Sequence, residues 1–70
     1  MSVFNLRERT GLTQQAFANK FHLSIKTVQS WEQGIYKPKE RIYYLMEYIL
    51  DLEEELKKYK EMLNETNNSE

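Results

Sequence analysis

The sequence predicts an all-α protein, a small helical bundle that ends in a long C-terminal helix. Three observations carry that prediction. Two glycines and one proline occur in 70 residues. Charged residues make up 30% of the chain. The apolar residues recur at steps of three and four, the period of a helix with one buried face. At 8.5 kDa the chain holds one small domain, or one domain plus a tail. This is short of the roughly 70–80 residues at which a lone core is secure, so a staple or a partner is expected. Without cysteine, disulfides and thiolate metal sites are excluded, and one histidine makes no histidine-rich metal site. No apolar run approaches the roughly 20 residues of a membrane span. The opening MSVFNLRER lacks the apolar core of a signal peptide. These features predict a soluble cytoplasmic protein with no metal, no cofactor and no membrane partner.

The first helix is predicted over Val3 to Arg9, with Phe4 and Leu6 as its apolar positions. Thr10-Gly11 stops it, glycine being the usual residue just past a helix end. Thr13 is an N-cap for a second helix from Gln14 to Phe21. Leu12, Ala16, Phe17 and Phe21 give that helix one buried face. After the brief connection His22-Leu23, Ser24 caps a third helix from Ile25 to Glu32, with Val28 and Trp31 inward and Gly34 beyond its end. Ile35 to Pro38 is a loop, and Pro38 marks where the next helix can begin. From Lys39 to about Asn64 there is neither glycine nor proline. Ile42, Leu45, Ile49, Leu52, Leu56, Tyr59 and Leu63 there alternate steps of three and four, a heptad seam over three repeats. Ile42, Tyr44 and Leu45 are also expected to close the core of the head. The last residues, from Asn64 on, carry no apolar side chain and are expected to fray.

The second and third helices, joined across Phe21 to Ser24, have the spacing of a helix-turn-helix. Phe17, Phe21, Leu23, Val28 and Trp31 are apolar where both must face one core, and Ala18 is small where they approach. The third helix then presents Ile25, Lys26, Gln29, Ser30 and Gln33 outward. Lysine, glutamine and serine can bond to base edges in a major groove, although an ordinary solvated face has a similar composition. Two capped helix N-termini could meet phosphates. Charge is divided along the chain. Residues 1–41 hold seven Lys/Arg against three acids, a net +4, whereas residues 42–70 hold three lysines against eight acids, a net −5. That split suits a polyanion at the N-terminal part, and solvated surface charge is the alternative.

At this point the sequence resembles a known family. LRERTGLTQQAFANKFHLSIKTVQSWEQGIYKP is similar to the Cro/C1-type (XRE) helix-turn-helix domains, which resemble phage repressors. Leu6-Arg7, Leu12-Thr13-Gln14, Phe17-Ala18, Leu23-Ser24, Thr27-Val28, Trp31-Glu32, Gly34 and Pro38 fall in the family's order, and the likeness covers roughly residues 4–50. The resemblance implies a lambda-repressor-like bundle of five helices whose third helix reads the major groove of double-stranded DNA. It implies base-facing Ile25, Lys26, Gln29 and Ser30. It places Thr13, Gln14, Thr27, Gln33 and Lys37 toward the DNA backbone, with Gln14 also bracing the recognition helix. Arg7 and Glu32 match a pair that forms a mostly buried salt bridge. Three positions depart from the pattern. His22 stands where the turn usually has glycine at positive φ. Gln33 replaces the usual asparagine. The chain also reads straight through residues 48–52, where the family normally breaks between helices 4 and 5.

The domain organisation expected is a helix-turn-helix DNA-binding domain at 1–50, a coiled-coil extension for dimerisation at 51–63, and a disordered tail at 64–70. With Ile42, Ile49, Leu56 and Leu63 at a and Leu45, Leu52 and Tyr59 at d, the pattern favours a parallel two-stranded coil. Ile49, Leu52, Leu56, Tyr59 and Leu63 are the dimerisation residues, and Glu55 at g faces Lys60 at the following e. The competing arrangement folds this segment back within the chain. The leading function is a sequence-specific transcriptional repressor of a phage, mobile element or bacterial operon, acting as a homodimer. The alternative is an antitoxin that represses its own promoter while its acidic Asp51–Glu70 segment caps a basic toxin. No catalytic residues are expected. Ser/His/Asp sets and phosphate loops are lacking, and Glu53-Glu54-Glu55 reads as the solvated face of a helix. Tyr43, Tyr44 and Tyr48 near Met46 read as core or dimer contacts rather than a ligand pocket.

Overall fold

The computed structural model describes residues 2–68, with side chains placed for residues 2–64. Four helices follow one another: α1 (Val3–Thr10), α2 (Gln14–Lys20), α3 (Ile25–Gln33) and α4 (Glu40–Asn68). Each boundary has a local cause. The Ser2, Thr13 and Ser24 side chains accept from the backbone N–H groups of Asn5, Ala16 and Thr27, capping α1, α2 and α3. Gly11 and Gly34 end α1 and α3 in the left-handed region, at φ 71° and 81°. His22 takes the same region at φ 57° between α2 and α3, which lets the Leu23 N–H reach the Ala18 carbonyl at 2.8 Å. Pro38 precedes α4, whose first hydrogen bond runs from the Tyr43 N–H to the Lys39 carbonyl.

The core consists of Val3, Leu6, Phe17, Ala18, Val28, Tyr43, Met46 and Leu50, with Leu12, Phe21, Leu23 and Trp31 packed around it half-buried. Two expectations shift by one residue. On α1 the buried pair is Val3 and Leu6, while Phe4 stays 45% exposed and carries the Arg7 guanidinium over its ring. On α4 the head is closed by Tyr43, Met46 and Leu50 rather than by Ile42, Tyr44 and Leu45, which are exposed. Both α4 stripes step by three and four, so periodicity alone does not choose between them. Tyr43 is favoured because its hydroxyl accepts from the Ser2 N–H at 3.4 Å while its ring is buried.

The head therefore has four helices rather than five. Without a breaker between residues 48 and 52, α4 continues out of the head, and the molecule is 53 Å long against 21 and 18 Å across. The helix is described to Asn68, past the Asn64 at which fraying is expected. Extending an existing helix needs no new nucleus. The rest of the expected tail, Ser69 and Glu70, lies outside the described residues.

Candidate nucleic-acid interface

The helix pair α2–α3 is locked by Phe17, Ala18 and Val28, all at 0% exposure. The Phe17 and Phe21 rings pack at 4.9 Å between centroids. This packing fixes which side of α3 faces outward. A polar chain then runs from the interior to that side. The Glu32 carboxylate accepts from Arg7 Nε at 2.6 Å, Arg7 Nη2 at 3.0 Å and Gln14 Nε2 at 3.2 Å. Arg7 Nη1 donates to the Leu12 carbonyl at 3.0 Å. Gln14 Oε1 in turn accepts from Gln29 Nε2 at 3.3 Å. The α1 helix, the α1–α2 turn, the start of α2 and the outer face of α3 are thus joined through two glutamines and one ion pair. The Arg7 and Glu32 side chains are 15% and 7% exposed. Hydrogen bonds from Arg7, then from Gln14, hold the Glu32 carboxyl below its ordinary range despite partial burial. The same pair raises Arg7.

Of the residues expected at a DNA surface, Lys26, Thr27 and Ser30 line one cleft and Gln29 meets Gln14, whereas Lys37 lines a second cleft with Ser2, Phe4 and Trp31. Lys26, Gln33 and Lys37 are exposed, and Ile25, Thr27, Gln29 and Ser30 are half-buried. None of them is an acid; Glu32 is turned inward to Arg7. Thr13 caps α2, and the Thr27 hydroxyl lies 2.9 Å from that of Ser24 at the start of α3. Both threonines therefore stand at helix N-termini, where backbone N–H groups favour an anion. The structure adds a residue that the sequence did not single out. Tyr36, 68% exposed, lines a shallow cleft with Lys26, Thr27, Ser30 and Trp31. Its only sequence signal is an aromatic side chain between Gly34 and Pro38 with no apolar partner at helical spacing.

Two further cations of the head, Arg9 and Lys20, face α4. Arg9 pairs with Asp51 at 2.7 Å and Glu54 at 3.1 Å, and Lys20 with Glu53 at 2.7 Å. The Glu53-Glu54-Glu55 run is therefore in part a head contact. The seven seam residues, from Ile42 to Leu63, are all 40–59% exposed. They lie roughly 130° around α4 from the face that meets the head. Tyr43 and Met46 are core residues, whereas Tyr44 and Tyr48 are exposed. Among the described residues no cluster of three or more His, Cys, Asp or Glu is placed to hold a metal. No helix there is long and apolar enough to cross a membrane.

Comparison with protein families matches a helix-turn-helix family over residues 3–57, well over half of the chain. Comparisons with curated proteins and with solved structures find no significant match. The matched region takes in the capped α2–α3 pair, the Arg7–Glu32–Gln14 brace, the acid-free face of α3 and the first half of α4. The chain belongs to the Cro/C1-type (XRE) helix-turn-helix family, whose domain binds double-stranded DNA and regulates transcription.

Proposed function

We propose that the chain is a dimeric, sequence-specific repressor that reads the major groove with α3. The observation that carries this reading is the α3 face itself. Gln29 is oriented from behind by Gln14, Lys26 is exposed beside Ser30, and the one acid of the helix is turned inward to Arg7. Glutamine reads adenine and lysine reads guanine in a major groove, so Gln29, Lys26 and Ser30 are assigned to bases and Ile25 to a thymine methyl. Thr13, Gln14, Thr27, Gln33 and Lys37 are assigned to the sugar-phosphate backbone. Arg7 and Glu32 have the structural role of holding Gln14.

The exposed seam supports a second copy as the partner of α4. Its length, about 30 Å from Ile42 to Leu63, suits a parallel coil. Two-fold pairing also suits half-sites about 34 Å apart. The antitoxin alternative draws less support, because Asp51, Glu53 and Glu54 are already engaged by Arg9 and Lys20.

Selection of bound duplexes from a random pool should return a palindrome. The triple variant Lys26→Ala/Gln29→Ala/Ser30→Ala should then lose preference for it, at about 1–3 kcal/mol for each well-made base contact. Unaltered affinity of the triple variant for its best site would refute the assignment of α3.

A further inference from the structure

Past Leu50, α4 leaves the head core, and no residue from 51 to 64 is buried. Ion pairs still join the head to this stretch. Arg9, in the last turn of α1, forks between Asp51 and Glu54, with a second hydrogen bond from its Nε to Glu54 at 3.3 Å. Lys20, the last residue of α2, reaches Glu53. Two helix ends of the head thus grip one turn of α4 from both sides of the cleft lined by Leu12 and Leu50.

Four of the head's cations fall into two sets by placement. Lys26 lines the cleft on the α3 face, and Lys37 is exposed in the loop that follows α3. Arg9 and Lys20 sit at the opposite ends of their helices from the N-caps Ser2 and Thr13, against α4. Lys20 is roughly 9 Å along α2 from Gln14, which belongs to the recognition brace.

We infer that Arg9 and Lys20 are positioning residues. With Asp51, Glu53 and Glu54 they set the angle between head and α4, and so set the half-site spacing that a pair of heads accepts. The inference rests on the dimeric DNA-binding reading. Because the seam lies on the flank of α4 turned away from the head, a small tilt of the head on its Tyr43-Met46-Leu50 contact moves one recognition helix relative to the other. Exposed ion pairs contribute little to stability one by one. A guanidinium forked between two carboxylates is nevertheless directional, and a lysine on the other side of the same turn opposes rotation the other way.

The test compares the full chain with two neutralised variants of opposite charge effect, Arg9→Gln/Lys20→Gln and Asp51→Asn/Glu53→Gln/Glu54→Gln. The probes are duplexes carrying two inverted copies of the half-site selected by the parent, with the central spacer varied one base pair at a time. Both variants should keep the parent's oligomeric state and half-site preference. In both, the preference for the best spacer over its neighbours should fall at least fivefold. The charge swap Arg9→Glu/Asp51→Lys/Glu54→Lys should restore it. Spacer profiles like the parent's in both variants overturn the inference alone, and so do affinities that merely move in opposite directions with net charge. A parent with no spacer preference overturns the paired reading as well.

Discussion

Glu32 joins the interior of the head to its outer face, and its partners make its energetics checkable. It is held by Arg7 on one side and Gln14 on the other with little solvent access. Arg7→Met strands the carboxylate, and breaking a buried pair from one side costs about 3–5 kcal/mol. In a domain whose whole stability is of order 5–15 kcal/mol, thermal melting should show a large fall. A variant that melts like the parent but no longer binds DNA would move Arg7 to the recognition surface. The pH dependence follows from the lowered Glu32 carboxyl, whose ordinary value is 4.5. A carboxyl lowered on folding contributes stability that is fully present above its unfolded value and lost as pH falls through the folded one. Stability should therefore drop below about pH 4.5, and Glu32→Gln should flatten that acid limb in urea titrations. This pair was legible only through the family likeness. The contacts of Arg9 and Lys20 with α4 were not legible at all, since no spacing rule links residues 33 to 45 apart. Their one trace is a basic first part followed by an acidic second part, a split that suits a polyanion at the N-terminal part or plain solvated charge and does not point to pairing between the two parts.

At the scale of elements, the helix boundaries follow from caps that sit in the sequence. Thr13, Ser24, Gly11 and Gly34 each hold the place their chemistry indicates. The turn between α2 and α3 is the strained exception, because His22 occupies φ 57°. A side chain in the left-handed region costs about 1–2 kcal/mol, part of which glycine returns as unfolded-state entropy. His22→Gly should then stabilise the head by roughly 0.5–1 kcal/mol, read as a higher urea midpoint at unchanged slope. A lower midpoint would show that the imidazole makes a contact worth more than the strain. The register of α4 was not legible for a different reason. Its first three turns carry two apolar stripes of equal period, Tyr43-Met46-Leu50 and Ile42-Leu45-Ile49. Which one meets the head is decided by tertiary contacts such as that of Tyr43 with Ser2.

For the whole molecule, the two stripes give α4 two separate tasks. One closes the head; the other leaves Ile42, Leu45, Ile49, Leu52, Leu56, Tyr59 and Leu63 facing solvent. Burying a leucine side chain contributes about 1.5–3 kcal/mol, so a row of seven exposed apolar positions supports the proposed pairing with a second copy. Leu52 and Leu56 are 46% and 52% exposed and lie beyond the head core. Leu52→Glu/Leu56→Glu should therefore leave the head folded, its melting lowered only by the loss of the partner, while placing like charges along the seam. In sedimentation equilibrium at micromolar concentration the parent should be a dimer and the variant a monomer. Affinity for a palindromic site should fall by about 10²–10⁴, because the second half-site is no longer engaged at high effective concentration. Affinity for an isolated half-site should stay within a few-fold, since α3 and its brace lie outside the altered turns. A parent that sediments as a monomer, or a variant that binds the palindrome as the parent does, would mean that the seam serves something other than pairing two heads on DNA.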